Sequence, residues 1–329
     1  MKAFLLCAGL GTRLRPLTDR VAKPVVPLFG RPLLEHAFEW LLQQGVTDVV
    51  VNTHHLPQSV ESALARLPLS RMGVTLVHES TLLGTGGGLR NVAEQFSGER
   101  AFLTANGDVF TDLDATHALA AHTDLATLVT LDDPRLAALF GVGVDALGRV
   151  TDFWGQPEGT SPVRRVAFSG IQVAGPALLA RLEREVDAGT PACIKERGWI
   201  PALRDGEHIA TVAGQGAWFD LGTPQAYLDA HRRLSPRAAS LSGWPERAPG
   251  IISAEPLPSQ LQVVAPAVIG PGLTTRGPAR LGPHAYLGTG VTLASAVSLE
   301  QVVVWDHVAV PQSQRNAILP WTGCVVSAL

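Results

Sequence analysis

The feature that most restricts this chain lies towards its end, where aliphatic residues return every six positions. Val263, Ile269, Leu281, Leu287, Leu293, Leu299 and Trp305 form one series, interrupted only at Thr275. Ala267, Leu273, Ala279, Ala285, Val291, Val297, Val303 and Ala309 form a second at the same period. Glycine or alanine often follows the first series, as in Ile269-Gly270, Leu281-Gly282, Leu287-Gly288 and Leu293-Ala294. Six is too long a period for the alternation of a strand and does not match a helix turn. It suits a three-sided coil with one aliphatic residue per side pointing inward and tight turns at the corners, and about three coils fit. The stretch before it, "SPRAASLSGWPERAPG" from Ser235 to Gly250, is rich in Pro, Ser and Gly, lacks periodicity and reads as a linker. The expected organisation is a first domain over 1–234, a linker over 235–250 and a repeat domain over 251–329.

The first domain alternates short apolar runs with amphipathic stretches, the pattern of helices covering a mostly parallel sheet. Ala3 to Cys7, Asp48 to Asn52, Val74 to His78, Ala101 to Ala105 and Leu125 to Leu131 read as strands. Leu33 to Gln43, Gln58 to Leu67 and Gly88 to Phe96 read as helices from their three- and four-residue apolar spacing. Further on, Val166 to Ala174 reads as a strand and Pro176 to Val186 as a helix. The expected fold class is therefore α/β, a Rossmann-like three-layer sandwich with right-handed crossovers. Ligands in such sheets bind beyond the carboxyl ends of the strands.

Composition narrows the ligand class. A formal net charge of -3 over 329 residues gives no basic face for a nucleic-acid backbone, so no nucleic-acid partner is expected. No run approaches the ~20 apolar residues of a membrane span, so no membrane partner is expected either. Cys7, Cys193 and Cys324 are scattered and odd in number, which indicates neither a disulfide framework nor a zinc site. The apolar run of "MKAFLLC" is at the short end of a signal sequence and is followed by Arg13-Leu14-Arg15 where a cleavage region should be. A cytoplasmic location is the expectation.

The candidate site opens with "CAGLGTRLRP" directly behind the first strand. Gly9-x-Gly11 is part of a dinucleotide fingerprint, but Leu14 stands where its third glycine should fall. A phosphate-binding Gly-Lys-Ser/Thr loop would enter a helix, and here Pro16 interrupts. The remaining reading, a loop that wraps a nucleoside triphosphate while Arg13 and Lys23 neutralise phosphate charge, uses every residue.

Leu6-Cys7-Ala8-Gly9-Leu10-Gly11-Thr12-Arg13-Leu14-Arg15-Pro16-Leu17-Thr18, followed by Ala22-Lys23-Pro24 and Pro27, resembles the signature of the sugar-1-phosphate nucleotidyltransferases. The resemblance covers about residues 1 to 234 and implies a nucleotide-binding loop containing Ala8, Gly9, Gly11, Thr12 and Arg13. It implies that Arg13 assists the leaving pyrophosphate and that Lys23 contacts phosphate near the reacting centre. "LLGTGGGL" resembles the segment against the nucleobase, which puts Leu82, Gly84, Thr85, Gly86 and Gly87 in the nucleotide site. "ANGDVF" and "FSGIQV" resemble the metal and sugar segments, bringing in Asn106, Asp108 and Gly170. "GAWFDLGTPQAYLDA" puts Asp220 at the second metal-ligand position. Each piece also has an ordinary structural reading: glycine runs make turns, Asp108 follows Asn106-Gly107 as a turn residue would, Asp220 precedes a helix it could cap, and Arg13 and Lys23 could belong to a solvated face. Their order along the chain favours the family.

The implied reaction joins a nucleoside triphosphate to a sugar 1-phosphate, giving a nucleotide sugar and pyrophosphate. The sugar-phosphate oxygen is already anionic, so the task is to overcome repulsion between polyanions and align them for in-line attack. Mg²⁺ held by Asp108 and Asp220 is the implied cofactor. Two departures bear on specificity. Leu82 stands where uracil-reading members carry glutamine, and Gly155-Gln156-Pro157 replaces a Glu-Lys-Pro whose lysine contacts phosphate, leaving Lys195 as a substitute. Mannose-1-phosphate guanylyltransferases share the repeat tail, which resembles the hexapeptide left-handed β-helix. N-acetylmuramate-1-phosphate uridylyltransferases share the Thr-Gly-Gly-Gly run and "FSGI", and a glucose-1-phosphate enzyme is a further reading. From other classes come a silent nucleotide-sugar-binding regulator, which the intact Arg13, Lys23, Asp108 and Asp220 oppose, and acyl transfer by the repeats with His284 or His307 as base. The β-helix is expected to govern stability or a homo-oligomer.

Overall fold

The computed structural model of the chain describes residues 1–67, 72–122 and 125–328. They form two compact units, one of Met1–Leu10 with Ala37–Trp218, the other of Gly11–His36 with Phe219–Leu329.

The first unit is built on a sheet of nine strands. Its parallel half contains β1 Lys2–Leu6, β2 Asp48–Thr53, β3 Gly73–His78 and β4 Phe102–Asn106. β1 lies parallel between β2 and β4, and β2 pairs with β3. Central strands of such a sheet are covered on both faces. That is why Ala3, Phe4 and Leu5, like Val49, Val50 and Val51, are consecutive and all buried. The remaining strands are β5 Ala126–Leu131, β6 Gly141–Val144, β7 Val150–Phe153, β8 Arg164–Ala174 and β9 Ile209–Ala213. The order across the sheet is β7-β6-β8-β4-β1-β2-β3, with β5 also on β8 and β9 on β5. β8 runs antiparallel to its neighbours and shifts register between Phe168 and Ile171, around Gly170 with φ +82°.

Helix α1 spans Leu33–Gln43, α2 Pro57–Leu64, α3 Gly84–Asn91 and α4 Pro176–Glu185. The helix expected from Gly88 to Phe96 is displaced: α3 begins at Gly84, and residues 93–96 form a separate 3-10 turn. Four glycines in the first five positions give a poor intrinsic helix former. Backbone packing secures it instead, as described below.

In the second unit, α5 (Pro224–Leu234) starts with proline at its first position and with Thr223 Oγ1 accepting from the Ala226 N–H. Residues 235–250, read as a linker, carry regular structure: a 3-10 turn at Ser235–Arg237, helix α6 at Ala238–Ser242, and strand Glu246–Ala248 against Ile251–Ser253. Beyond them the chain coils. One face stacks the segments 251–253, 267–269, 285–287, 302–304 and 317–319, all in parallel. A second stacks 261–263, 279–281, 298–299 and 314–315, and a third 274–275, 292–293 and 309–310. More coils are therefore present than the three expected.

The two aliphatic series hold their phase only as far as Leu299. Ala267 pairs with Ala285, three six-residue steps on, but Ala285 then pairs with Val302, one residue short of the same distance. Gln301 turns the corner at φ 53°. From there Val302, Val304, Val308 and Val310 are buried, Val303 stays buried beside them, and the expected Ala309 is exposed. Trp305 is still buried, but against α5, as described below.

Candidate active site

The signature loop divides between the two units. Ala8 and Gly9 follow β1 in the sheet unit, where Ala8 is buried and Gly9 exposed. A Cβ at Gly9 would meet nothing within 4 Å, so internal packing does not require the glycine and a ligand has room to approach the backbone. Gly11, Thr12, Arg13 and Lys23 belong to the other unit. Gly11 is required by its conformation: φ is +63°, and a Cβ would stand 2.8 Å from Thr18 Cγ2. The Thr18 hydroxyl donates to the Gly11 carbonyl at 2.9 Å, which also accepts from the Leu14 N–H, closing the loop on itself.

Three charged groups meet in this second unit. Lys23 Nζ lies 3.2 Å from Asp220 Oδ1, and an Arg13 guanidinium nitrogen lies 3.6 Å from Asp220 Oδ2. Lys23 has a side chain only 5% exposed, whereas that of Arg13 is 66% exposed. The lysine charge is thus buried and the arginine charge open to solvent. Gly222 makes the cluster possible, since a Cβ there would fall within 3 Å of both Asp220 oxygens and of Arg13. Asp220 does not cap α5, a role that Thr223 fills, so its carboxylate is left for the two cations.

In the sheet unit, Asp108 follows Gly107 at the end of β4. The Gly107 N–H donates to the Leu6 carbonyl, and a Cβ on Gly107 would stand 2.4 Å from Cys7 Sγ. Only glycine lets the two strand ends close up and brings Asp108 beside the end of β1. Burial pushes the Cys7 thiol far above its usual range, and the Asp108 charge adds to that shift. The thiol is an inert filler.

The end of β1 is tied to α3 by a buried polar chain that the sequence reading missed. The Cys7 N–H donates to Asn52 Oδ1, the Asn52 amide to Glu79 Oε1, and the Leu83 N–H to Glu79 Oε2. Gly88 leaves space for it, since a Cβ there would lie 2.9 Å from Glu79 and 3.1 Å from Asn52. Asn52 closing an otherwise aliphatic strand was the available signal. The other glycines of α3 serve backbone contact. The Gly86 and Gly87 N–H groups both donate to the Ala192 carbonyl, and a Cβ on either would strike the 190–194 backbone. Gly86 and Gly87 are buried, whereas Leu82 is half-buried and Gly84 and Thr85 are exposed. The part of this segment that remains open to a ligand is therefore its start.

A half-open pocket in the sheet unit is lined by Thr85, Thr104, Asn106, Phe168, Gly170, Gln172, Ile194 and Trp199, among others. Gly170 is needed here because a Cβ would stand 2.6 Å from the Asn106 amide. Gln172 and Trp199 are each only 3% exposed, and Gln172 Oε1 and Trp199 Nε1 have no hydrogen-bond partner among the described residues. Such groups ordinarily find partners when buried. Trp199 stacks on Phe153 at 5.0 Å and meets Phe168 edge-on. It ends a π-helical turn, Lys195–Trp199, whose first residue places Nζ 4.5 Å over the Trp154 ring. Trp154 directly precedes Gly155-Gln156-Pro157, so the ammonium of Lys195 does reach the turn that lacks a lysine of its own.

Among the described residues no group of three or more His, Cys, Asp or Glu is arranged to hold a metal. A site of single carboxylates fits Mg²⁺, which usually takes one or two protein carboxylates and fills its octahedron with water and substrate phosphate. Asp220 is a single carboxylate whose two oxygens face Lys23 and Arg13. No described helix is long and apolar enough to cross a membrane.

A nucleotidyl transferase family profile matches residues 2–236. The UTP–glucose-1-phosphate uridylyltransferase of Synechocystis is 27% identical over 332 residues, 91% of this chain and 83% of that protein. The mannose-1-phosphate guanylyltransferase of Mycobacterium tuberculosis is 30% identical over 316 residues, covering 92% and 80%. The crystal structure of HddC from Yersinia pseudotuberculosis complexed with GMP-PN shares the fold, with a TM-score of 0.57 at 20% identity over 71% of this chain and 99% of that one. With the loop, the charge cluster and the sheet in place, the chain belongs to the nucleotidyl transferase family and is a sugar-1-phosphate nucleotidyltransferase.

Proposed function

We propose that the chain transfers the guanylyl group of GTP to mannose 1-phosphate, with Mg²⁺ as cofactor, in the cytoplasm. The observation that carries the chemistry is the meeting of Arg13 and Lys23, both from the signature segment, on the carboxylate of Asp220. Arg13, long and exposed, forks two donors onto the departing pyrophosphate. Lys23 holds its charge near the reacting phosphate. Asp108 and Asp220 are the carboxylates that would hold Mg²⁺, which supplies charge neutralisation between the two polyanions. Three free thiols fit a reducing compartment.

Leu82, Gly84 and Thr85 meet the base, with Ala8, Gly9, Gly11 and Thr12 on the phosphates. The sugar enters the pocket beside Asn106 and Gly170, and Lys195, drawn over Trp154, takes the sugar phosphate. A hydroxyl both donates and accepts, so a hexose matches the buried acceptor of Gln172 and the buried donor of Trp199. Several relatives named mannose-1-phosphate guanylyltransferase, at 27–31% identity, support this base and sugar. The uridylyltransferase relative favours a second reading, UTP with glucose 1-phosphate. Functionally, residues 1–234 form the catalytic part and 251–329 a β-helix through which copies associate. A grid of GTP, UTP, dTTP and ATP against mannose, glucose and N-acetylmuramate 1-phosphates, read by pyrophosphate release, tests the assignment. Turnover with UTP but not GTP would replace it by the second reading.

A further inference from the structure

The loop that carries Lys23 is fastened to the coiled repeats, and the fastening is buried, polar and specific. Lys23 opens a 3-10 turn, Lys23–Val25, and the chain then makes a two-stranded hairpin between Pro27-Leu28 and Arg31-Pro32. Phe29 and Gly30 turn it with φ of 50° and 79°. The Pro27 carbonyl accepts from the hydroxyl of Tyr227, a residue of α5 with no exposed surface. The same hydroxyl accepts from Trp305 Nε1 at 3.1 Å. Trp305 is free to do so because the coil one residue short turns it out of the aliphatic column. Arg31 adds a bond to the Leu241 carbonyl at 3.1 Å.

A second contact runs in parallel. The Phe29 N–H points at His231 Nε2, 3.5 Å away, while His231 Nδ1 lies 3.0 Å from the Tyr227 carbonyl. A backbone N–H only donates and a carbonyl only accepts, so Nδ1 carries the proton and the ring is neutral. Burial favours that state. The Phe29 ring packs between His231 at 4.9 Å and Tyr286 of the repeats at 5.5 Å. A small half-open pocket lies within this cluster, lined by Pro27, Phe29, Tyr227, His231, Tyr286 and Trp305 among others.

We propose that the Trp305–Tyr227–Pro27 bridge makes the repeat region a positioning element for Lys23. The β-helix then acts on phosphoryl chemistry through the loop, over and above any part in stability or assembly. Tyr227 and Trp305 are positioning residues, since neither belongs to the charge cluster. The proposal rests on the phosphate-contacting role given to Lys23, and the experiment separates the two.

Tyr227→Phe, Trp305→Phe and Lys23→Ala are each assayed in the full chain by pyrophosphate release, with GTP and mannose 1-phosphate or the pair the substrate grid selects. Losing one hydrogen bond from a placed group is worth ~1 kcal/mol, a factor of ~5–10 in rate. Tyr227→Phe should lower kcat/KM for the triphosphate by about that factor and Trp305→Phe by ~3-fold, both leaving KM for the sugar phosphate unchanged. In a Lys23→Ala background the Tyr227→Phe loss should shrink to below ~2-fold, because groups acting through one another are not additive. Equal losses in both backgrounds, or a lowered thermal midpoint with unchanged kcat/KM, overturn the proposal and leave the bridge purely structural. A Lys23→Ala enzyme at full rate overturns it differently, by removing the role of Lys23 itself. If Tyr227→Phe does not fold, Trp305→Phe carries the same cycle.

Discussion

The two units place their polar groups under opposite rules. In the sheet unit the candidate contacts are set by backbone proximity: glycines at 86, 87, 88, 107 and 170 let strands, helix and loop approach to distances that any Cβ would forbid. Its polar side chains, Asn52 and Glu79, are consumed in holding that geometry. In the repeat unit the candidate groups are full charges on a self-closed loop, and aromatic side chains hold the loop from outside. A shape assembled from backbone suits recognition, which needs rigidity. A charge cluster on a fastened loop suits transfer, which needs a field that is in place before charge develops. The difference predicts that recognition and rate can be damaged separately.

The sharpest way to break that division is Arg13→Ala. It should cost ~10²–10³ in kcat, as removal of one placed electrostatic donor typically does, with triphosphate affinity nearly unchanged in equilibrium binding. Near-normal turnover would detach the charge cluster from the chemistry. A smaller effect concerns the aromatic fastening. His231 is held neutral with its pKa lowered to about 4 by burial. A folded-state value below the unfolded one means that the unfolded chain takes the proton more readily. The stability tied to His231 is therefore complete above about pH 6.5 and declines as pH falls towards 4, by about 2–3 kcal/mol at most. Urea midpoints followed from pH 7 to 4.5 should fall, and a His231→Gln variant should show a shallower decline. The smallest effect belongs to recognition. Trp199→Phe keeps the ring and removes the donor, so KM for the sugar phosphate should rise ~5-fold while kcat/KM for the triphosphate stays put. An unchanged KM would mean that the indole N–H does not meet the sugar.

The strands and most helices were legible because burial on both faces of a parallel sheet writes itself as unbroken aliphatic runs, as in Val49 to Val51. Helix α3 was legible only in part, since glycine carries no side-chain periodicity and its helix is held by the Ala192 carbonyl, far away in sequence. Arg13, Lys23 and Asp220 could be named from the motif, but their meeting needed the fold, since 197 positions separate the last two. Gln172 and Trp199 were invisible as a pair for a related reason. Each reads as an ordinary strand or core residue until the unsatisfied atoms are seen to line one pocket. Periodicity also predicted Trp305 inside the coil, because a strict count cannot register one missing residue.

That missing residue works as a phase shifter. The coils before it keep one register to the interior, as in Ala267 under Ala285; the step from Ala285 to Val302 moves that register by one residue, and the shorter step from Val302 to Ala317 moves it again. An alteration of length, with no change in composition, thus decides which side chains a solenoid shows to the rest of its chain. Inserting one residue between Leu299 and Val302 would rotate Trp305 back into the column and present a different face to α5. Such arrays can evolve new docking partners by changing their count before they change their chemistry, and a family of tails with identical repeat motifs can differ in what they hold.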